Sequence, residues 1–360
     1  MINTPITRLL GITTPIIAAP MAGASGGELA ARVSRAGGFG LLQAGYLDVV
    51  AFRRELDLAR SILQEDSASS EVGSDRSHES LSIGVGFLAW ILDKSDGKVA
   101  ELLSTALEAR VAAVWFAFGN DLGKWVRVVR NSDERKSQPR KTKVFILVNS
   151  LDEARRAVYE WDADVLVAQG IEAGGHGHGG APPLLNFVPE ILNEFNSNSA
   201  SQHKKPCPPV IAAGGLSTGS QIAAILTLGA SGVALGTRFL LTPESLYTDA
   251  QKAALLAAHG TPTVRSMAFD AMRGTLGWPE GVDGRALKNK IVELYERGED
   301  VEKIRELYRK ATKEDDPDGM LIWSGTGVGL INKIEPATAL VARLHEEIAS
   351  RLKEVGTFVN

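Results

Sequence analysis

The 360-residue chain has a single cysteine, Cys207. One thiol cannot close an intramolecular disulfide or supply the paired thiolates of a zinc site. Its setting, "KKPCPP", reads as a loop. No apolar run reaches the roughly 18–20 residues of a membrane helix, and no basic segment at the N-terminus leads into a long apolar core. Neither sign of charge dominates: 39 Lys and Arg stand against 43 Asp and Glu, a net charge of −4. The basic residues are scattered, with no aromatic-flanked stripe, so nucleic acid and acidic membranes are poor partners. The final "FVN" is no peroxisomal address. These absences lead to the expectation of a soluble cytoplasmic protein.

What is present is a regular alternation. At 44% hydrophobic residues, the chain can fill a large core. Eight short apolar runs occur at 15–20, 39–42, 81–87, 111–118, 143–148, 163–168, 208–215 and 231–236, most of them separated by helical patterns. Such runs suit parallel strands covered by helices, and eight of them suggest an α/β fold closed as a (β/α)8 barrel, the TIM barrel. A doubly wound open sheet is the alternative. That fold would concentrate glycines after the first strand as GxGxxG, and "GGFGLL" lacks the arrangement.

The expected organisation is a barrel over 1–243, a helical subdomain near its mouth over 244–320, and a segment at 321–360 whose helix returns to the barrel. In that helix Leu340, Leu344, Ile348 and Leu352 recur every four residues on one face. Polar stretches at 64–80, 131–142 and 195–208 fall between helices and the next strands, at the bottom of such a barrel.

Glycines cluster after four of the runs: "PMAGASGG", "QGIEAGGHGHGG", "GGLSTG" and "GTRF". In a parallel barrel these ends share the face where active sites form. Glycine allows close backbone approach at a conformational cost, so a ligand is expected against the main chain there. After the seventh and eighth runs, main-chain N–H groups, a hydroxyl and a helix N-terminus would cradle a phosphate. The plainer reading of each pair is a tight turn, but position and residue type agree at both.

Residues 169–180 hold six glycines among twelve residues, with His176 and His178 between them. An imidazole titrates near working pH, so His176 can take a proton or hold an anion. His178 reads as structural. Glu172 reads as a carboxylate that orders the loop rather than as a second base or a metal ligand. His78, His203, His259 and His345 receive no role.

"PIIAAPMAG", "QGIEAGGHGHGG", "VIAAGGLSTGSQIAAILTLGASGVALGTRF" and "WSGTGVGLI" resemble the nitronate monooxygenases, formerly called 2-nitropropane dioxygenases. The resemblance covers nearly the whole chain. It implies FMN at the barrel mouth. Pro20, Met21 and Ala22 would line its ring, Gln169 would contact it, and Gly174 and Gly175 would lie beside it. Gly214, Gly215, Gly236 and Thr237 would hold its phosphate, and Ala213 would also belong to the cofactor site. Gly86 stands where an asparagine is common in the family and would offer main-chain contacts only. Thr326 stands where some relatives have glutamine. His176 matches the family's catalytic position. The implied activity is FMN-dependent oxidation of alkyl nitronates, and of nitroalkanes, by oxygen to carbonyl compounds and nitrite. Two rivals stand beside it: an NAD(P)H-dependent quinone or enoyl-thioester reductase on the same barrel, and a flavin-free phosphate-binding lyase or isomerase.

Overall fold

The computed structural model describes residues 1–65, 80–94, 98–135, 141–196, 205–259 and 263–358. Most of the polar stretches 64–80 and 195–208, and 136–140 of the third, lie outside these residues, as do His78 and His203; 131–135, read as loop, end the helix Gly123–Arg135. The strands in chain order are β1 (Ile16–Ala18), β2 (Phe39–Gln43), β3 (Leu81–Leu88), β4 (Val111–Ala117), β5 (Lys143–Val148) and β6 (Val165–Gln169). They are followed by β7 (Gly175–His178), β8 (Val210–Ala213), β9 (Gly232–Leu235), β10 (Thr263–Ser266) and β11 (Val282–Leu287).

Eight of them close a parallel barrel in the order β1-β2-β3-β4-β5-β6-β8-β9, with β9 pairing back to β1. Each coincides with one of the eight apolar runs. Side chains alternate across the barrel wall, as period-two strands require. Phe39, Leu41, Trp115, Phe145, Val165, Val167 and Ile211 point inward and fill the lower interior. Phe145 lies between Phe39 and Trp115, with ring centroids 6.2 and 6.1 Å away. The helix Pro5–Leu10 brings Ile6 to the same cluster. Towards the C-terminal strand ends the inward positions shrink to Ala117, Ala213 and Ala234, which also line the cavity above. The change in residue size turns a packed core into an open mouth.

The segment read as a helical subdomain is mixed. It carries helices Asp249–Ala257, Ala268–Arg273, Lys290–Glu296 and Val301–Glu314, but also β10 and β11. These pair antiparallel with each other, and β11 pairs with β7, giving a three-stranded sheet in the order β10-β11-β7. β7 is the "GHGH" of the glycine-rich stretch. Glycine is a poor strand former, so this strand owes its conformation to tertiary pairing: His176 stands opposite Gly284, and His178 opposite Val282. β11 has the alternating burial of a half-covered strand, with Val282, Gly284 and Ala286 buried. Its Asp, Gly and Arg content masks that pattern in the sequence.

The C-terminal helix Ala337–Gly356 begins at Pro336 and buries Leu340, Val341, Leu344 and Ile348, while Leu352 is half-buried. It packs against Gly219–Thr227 and Gly27–Arg35.

Candidate active site

One cavity opens at the C-terminal ends of the barrel strands, with about 1300 Å³ of space including its mouth. Every site residue named from the sequence lines it. Pro20, Met21 and Ala22 follow β1. Gly86 lies in β3 and Gln169 ends β6. Gly174 precedes β7, whose first residues are Gly175 and His176. Ala213, Gly214 and Gly215 lie at the end of β8, and Gly236 and Thr237 follow β9.

At the β8 and β9 ends the main chain supplies the polar groups. The N–H groups of Gly214, Gly215, Leu216, Gly236 and Thr237 have no hydrogen-bond partner among the described residues, and all five residues line the cavity. Unpaired N–H groups at a concave glycine turn are what an anion needs. The start of helix Gly219–Thr227 does not contribute as expected. Ser217 N–H and Thr218 N–H both donate to Gln221 Oε1 (2.9 and 3.2 Å), and Gly219 N–H donates to Glu347 Oε2 (2.9 Å). The donors left open belong to the residues before the helix. Gly215 has φ +66°, and a Cβ there would lie 2.8 Å from Thr326 Oγ1 and 2.9 Å from Glu172 Cβ.

The C-terminal part of the chain fastens this end. Arg238, next to Thr237, is buried and pairs with Glu335, and Arg343 reaches both Glu335 (2.6 Å) and Glu347. Burial alone would raise the Glu335 carboxyl, but Arg343, Lys333 and Arg238 outweigh it and hold it at about 2. Gly325 N–H donates to Thr237 Oγ1 (2.9 Å), Thr326 N–H to Glu172 O (3.0 Å) and Ser217 Oγ to Gly327 O (3.1 Å). A Cβ on Gly174 would sit 2.4 Å from Gly325 N. Part of the glycine density after β6 therefore serves the packing of "WSGTG" against that loop.

At the opposite end, side chains take over. His176 is 9% exposed in its side chain, and its Nε2 lies 3.0 and 2.9 Å from Asp270 Oδ1 and Oδ2. Asp270 is fully buried, and its Oδ1 also accepts from Thr275 Oγ1 (2.8 Å) and Trp278 Nε1 (2.9 Å). The Trp278 ring stacks on the imidazole at 3.5 Å between centroids, and Trp323 meets it edge-on at 4.9 Å. A carboxylate on Nε2 selects the tautomer that carries its proton there and leaves Nδ1 as the acceptor. Nδ1 has no hydrogen-bond partner among the described residues. Burial pushes the imidazole below its ordinary pKa. Asp270 pulls it up, and Arg273 and Arg265 push it down. The ring is thus neutral at working pH, with one nitrogen fixed and the other open, a state suited to taking a proton.

Between the two ends lie the amides. Gln169 Oε1 accepts from Asn149 Nδ2 (2.8 Å) and its Nε2 donates to His176 O (3.0 Å). It ties β7 to the barrel and keeps one N–H for a ligand. Gln43 is buried and lines the cavity, and its Oε1 has no partner among the described residues. A buried acceptor left open in a cavity wall fits a ligand with a polar edge. At Gly86 a Cβ would fall 2.3 Å from Pro20 Cβ. The space a longer residue would need there is taken by the Pro20 ring.

His178 does not line the cavity. Its Nδ1 accepts from Gly180 N–H (3.0 Å). The Glu172 carboxylate accepts from Leu184 N–H (3.1 Å), at the start of helix Leu184–Asn196. Sequence reading missed Asp270, Arg273, Trp278, Trp323 and Gln43. Asp270, Arg273 and Trp278 come from a stretch without a local motif, whereas Trp323 opens "WSGTGVGLI", a stretch noted for its resemblance and not for its tryptophan. Gln43 ends a strand whose predicted run stops one residue earlier. The position at a barrel strand's C-terminal end was the available signal for it.

The family model described as nitronate monooxygenase matches residues 3–65 and 93–347. The chain is 33% identical over 353 residues to the nitronate monooxygenase npaC of Metarhizium robertsii, covering 94% of this chain and 92% of that protein. Among solved structures, FabK from Thermotoga maritima superposes with a TM-score of 0.75 at 26% identity, covering all of both chains. The nitroalkane oxidase from Streptomyces ansochromogenes superposes at 0.72 and 26% identity, covering 97% of this chain and 99% of that one.

Proposed function

The chain belongs to the nitronate monooxygenase family of oxidoreductases, and from that premise we propose that it binds FMN and oxidises alkyl nitronates with oxygen to carbonyl compounds and nitrite. FMN, when bound, would supply the redox chemistry, while the protein binds, orients and moves protons. The open N–H groups of Gly214, Gly215, Leu216, Gly236 and Thr237 suit its phosphate. Gln43, Gln169 and the turn at Pro20, Met21 and Ala22 suit its ring. On this reading residues 1–243 are the cofactor-binding barrel, and 244–320 cover its mouth.

His176 has the central role. With Nε2–H held by Asp270, Nδ1 can take the α-proton of a neutral nitroalkane, and the resulting imidazolium is stabilised by the carboxylate behind it. For a preformed nitronate no proton need move, and the same ring positions the anion. Trp278 and Trp323 hold the imidazole from its face and edge and exclude water. The observation that carries the proposal is this buried imidazole–carboxylate pair in the same cavity as five open N–H groups.

The test is anaerobic mixing of purified protein with propyl nitronate and, separately, with NADH. The expected outcome is a yellow protein whose flavin is bleached by the nitronate and not by NADH, with nitrite released after air is admitted. Fast bleaching by NADH alone would move the assignment to the reductases. Colourless protein that takes up no FMN would end the flavin reading.

A further inference from the structure

Among the described residues Arg273 is the one permanently charged side chain lining the cavity. It ends helix Ala268–Arg273, the short helix that also carries Asp270. Its guanidinium carbon lies 5.5 Å from the ring centroid of Tyr46 and 6.0 Å from that of Trp323. Among the described residues no carboxylate lies within ion-pair distance of it. Tyr46 is its neighbour at the mouth, where burial raises the phenol and Arg273 lowers it. Most of the surrounding wall is apolar or aromatic, including Met21, Phe118, Leu240 and Trp278.

An arginine laid over aromatic rings is often no more than a cover for them. Here the position argues for more. The half-buried guanidinium has a neutral phenol, Tyr46, as its hydrogen-bonding neighbour and no counter-ion among the described residues, so with five N–H donors it keeps some to offer an incoming anion. The fork matches two coplanar oxygens. A nitronate presents two such oxygens bearing a full negative charge, whereas a neutral nitro group of the same shape presents them without it.

We propose that Arg273 is a specificity-determining residue that selects the anionic form of the substrate over its neutral counterpart. This rests on the reading that the cavity takes nitronates. Asp270, on the same helix, is no ion-pair partner for Arg273 among the described residues: its oxygens face His176, Thr275 and Trp278.

The test uses holoprotein with Arg273→Met and Arg273→Lys. Butyrate and butyramide have the same heavy-atom shape and differ in charge. Their binding is followed by the fluorescence of Trp115, Trp278 and Trp323, which line the cavity, and independently by the flavin spectrum. The parent should prefer butyrate by about tenfold or more, the scale of one charge-assisted hydrogen bond. Arg273→Met should lose that preference while keeping its affinity for the amide, and Arg273→Lys should keep part of it. kcat/KM for propyl nitronate should fall by a similar factor in Arg273→Met and lose most of its dependence on NaCl. The proposal is overturned if Arg273→Met keeps the preference, if it weakens both ligands alike, or if the parent binds neither or both equally. A protein that proves flavin-free would sink the functional reading, yet the fluorescence titration would still decide the role of Arg273.

Discussion

At the β8 and β9 ends of the cavity the polar surface is main chain. It comes from two turns that sit next to each other in the barrel, and the residues that matter are contiguous in sequence: 213–217 and 236–237. At the opposite end it is side chain, and the parts come from far apart. His176 lies on β7, while Asp270, Arg273 and Trp278 lie roughly 100 residues on, and Trp323 lies further still. The first end needs glycine and geometry; the second needs chemistry held in place. An N–H cradle is fixed as soon as the turn folds. The imidazole works only once the β10-β11-β7 sheet has brought Asp270 to it.

The sharpest way to break this comparison is at His176. His176→Asn removes the base and leaves the main-chain end untouched. Turnover of a neutral nitroalkane should fall about a hundred- to ten-thousand-fold, the usual range for general-base assistance. Preformed nitronate should lose much less, and bound FMN should stay near the parent level. His178→Asn, two residues along the same strand, should change kcat/KM little, since that ring accepts from Gly180 N–H outside the cavity. Equal loss of the two substrates in His176→Asn would remove the base role and leave positioning.

Asp270→Asn should have the next largest effect. The amide keeps the shape and can still accept from Nε2–H, but it cannot offset the imidazolium. A drop of about ten- to a hundredfold in turnover of neutral nitroalkane is expected, on the scale of a hydrogen bond to a charged group. The pH profile carries the signature. The folded His176 already titrates below its ordinary value because of burial, with Asp270 opposing. Removing the carboxylate lowers that pKa further, so the acid limb of kcat/KM should move to lower pH. The linkage sign follows the same direction. The unfolded ring titrates near 6.5 and binds more protons than the folded one below it, so stability falls as pH drops through that value. An acid limb that stays in place or moves up would separate Asp270 from the titrating group.

How legible each end was in the sequence follows from how it is built. All eight barrel strands showed as apolar runs, because a strand buried on both faces has no other way to look. The glycine turns showed because Gly214 and Gly215 at one strand end and Gly236 at the next are local signals. β7 did not show as a strand, since "GHGH" has no strand propensity and pairs only because β11 lies beside it. β11 was hidden by its own Asp283 and Arg285. Asp270 sits in "AFDAMRG", a helix with nothing to separate this carboxylate from any other. Its meaning comes from a contact across 94 residues. Even the cradle was misjudged in one respect: the helix start after Thr218 looked like a donor, but Gln221 and Glu347 already take those N–H groups.

The smallest effect is also the cleanest test of the main-chain end, and it depends on choosing the right glycine. Gly215→Val would strain a residue at φ +66° and push against Thr326 and Glu172, so loss of FMN could come from a disturbed 324–327 segment. Gly236 is different. Its backbone lies outside the left-handed region, and a Cβ there would meet only Met21 Sδ at 3.6 Å, an ordinary contact. Gly236→Ala therefore adds one methyl group without cost to the fold, beside an N–H that has no partner among the described residues. The thermal midpoint of the apoprotein should stay near the parent's. If a phosphate seats on that N–H, the methyl group should crowd it and weaken FMN by about 1–2 kcal/mol, in line with other overpacked sites. Equilibrium dialysis of FMN against both apoproteins measures this directly. Unchanged affinity with the fold retained would mean that the phosphate does not approach the β9 turn. The β8 turn would then have to hold it alone, through Gly214, Gly215 and Leu216.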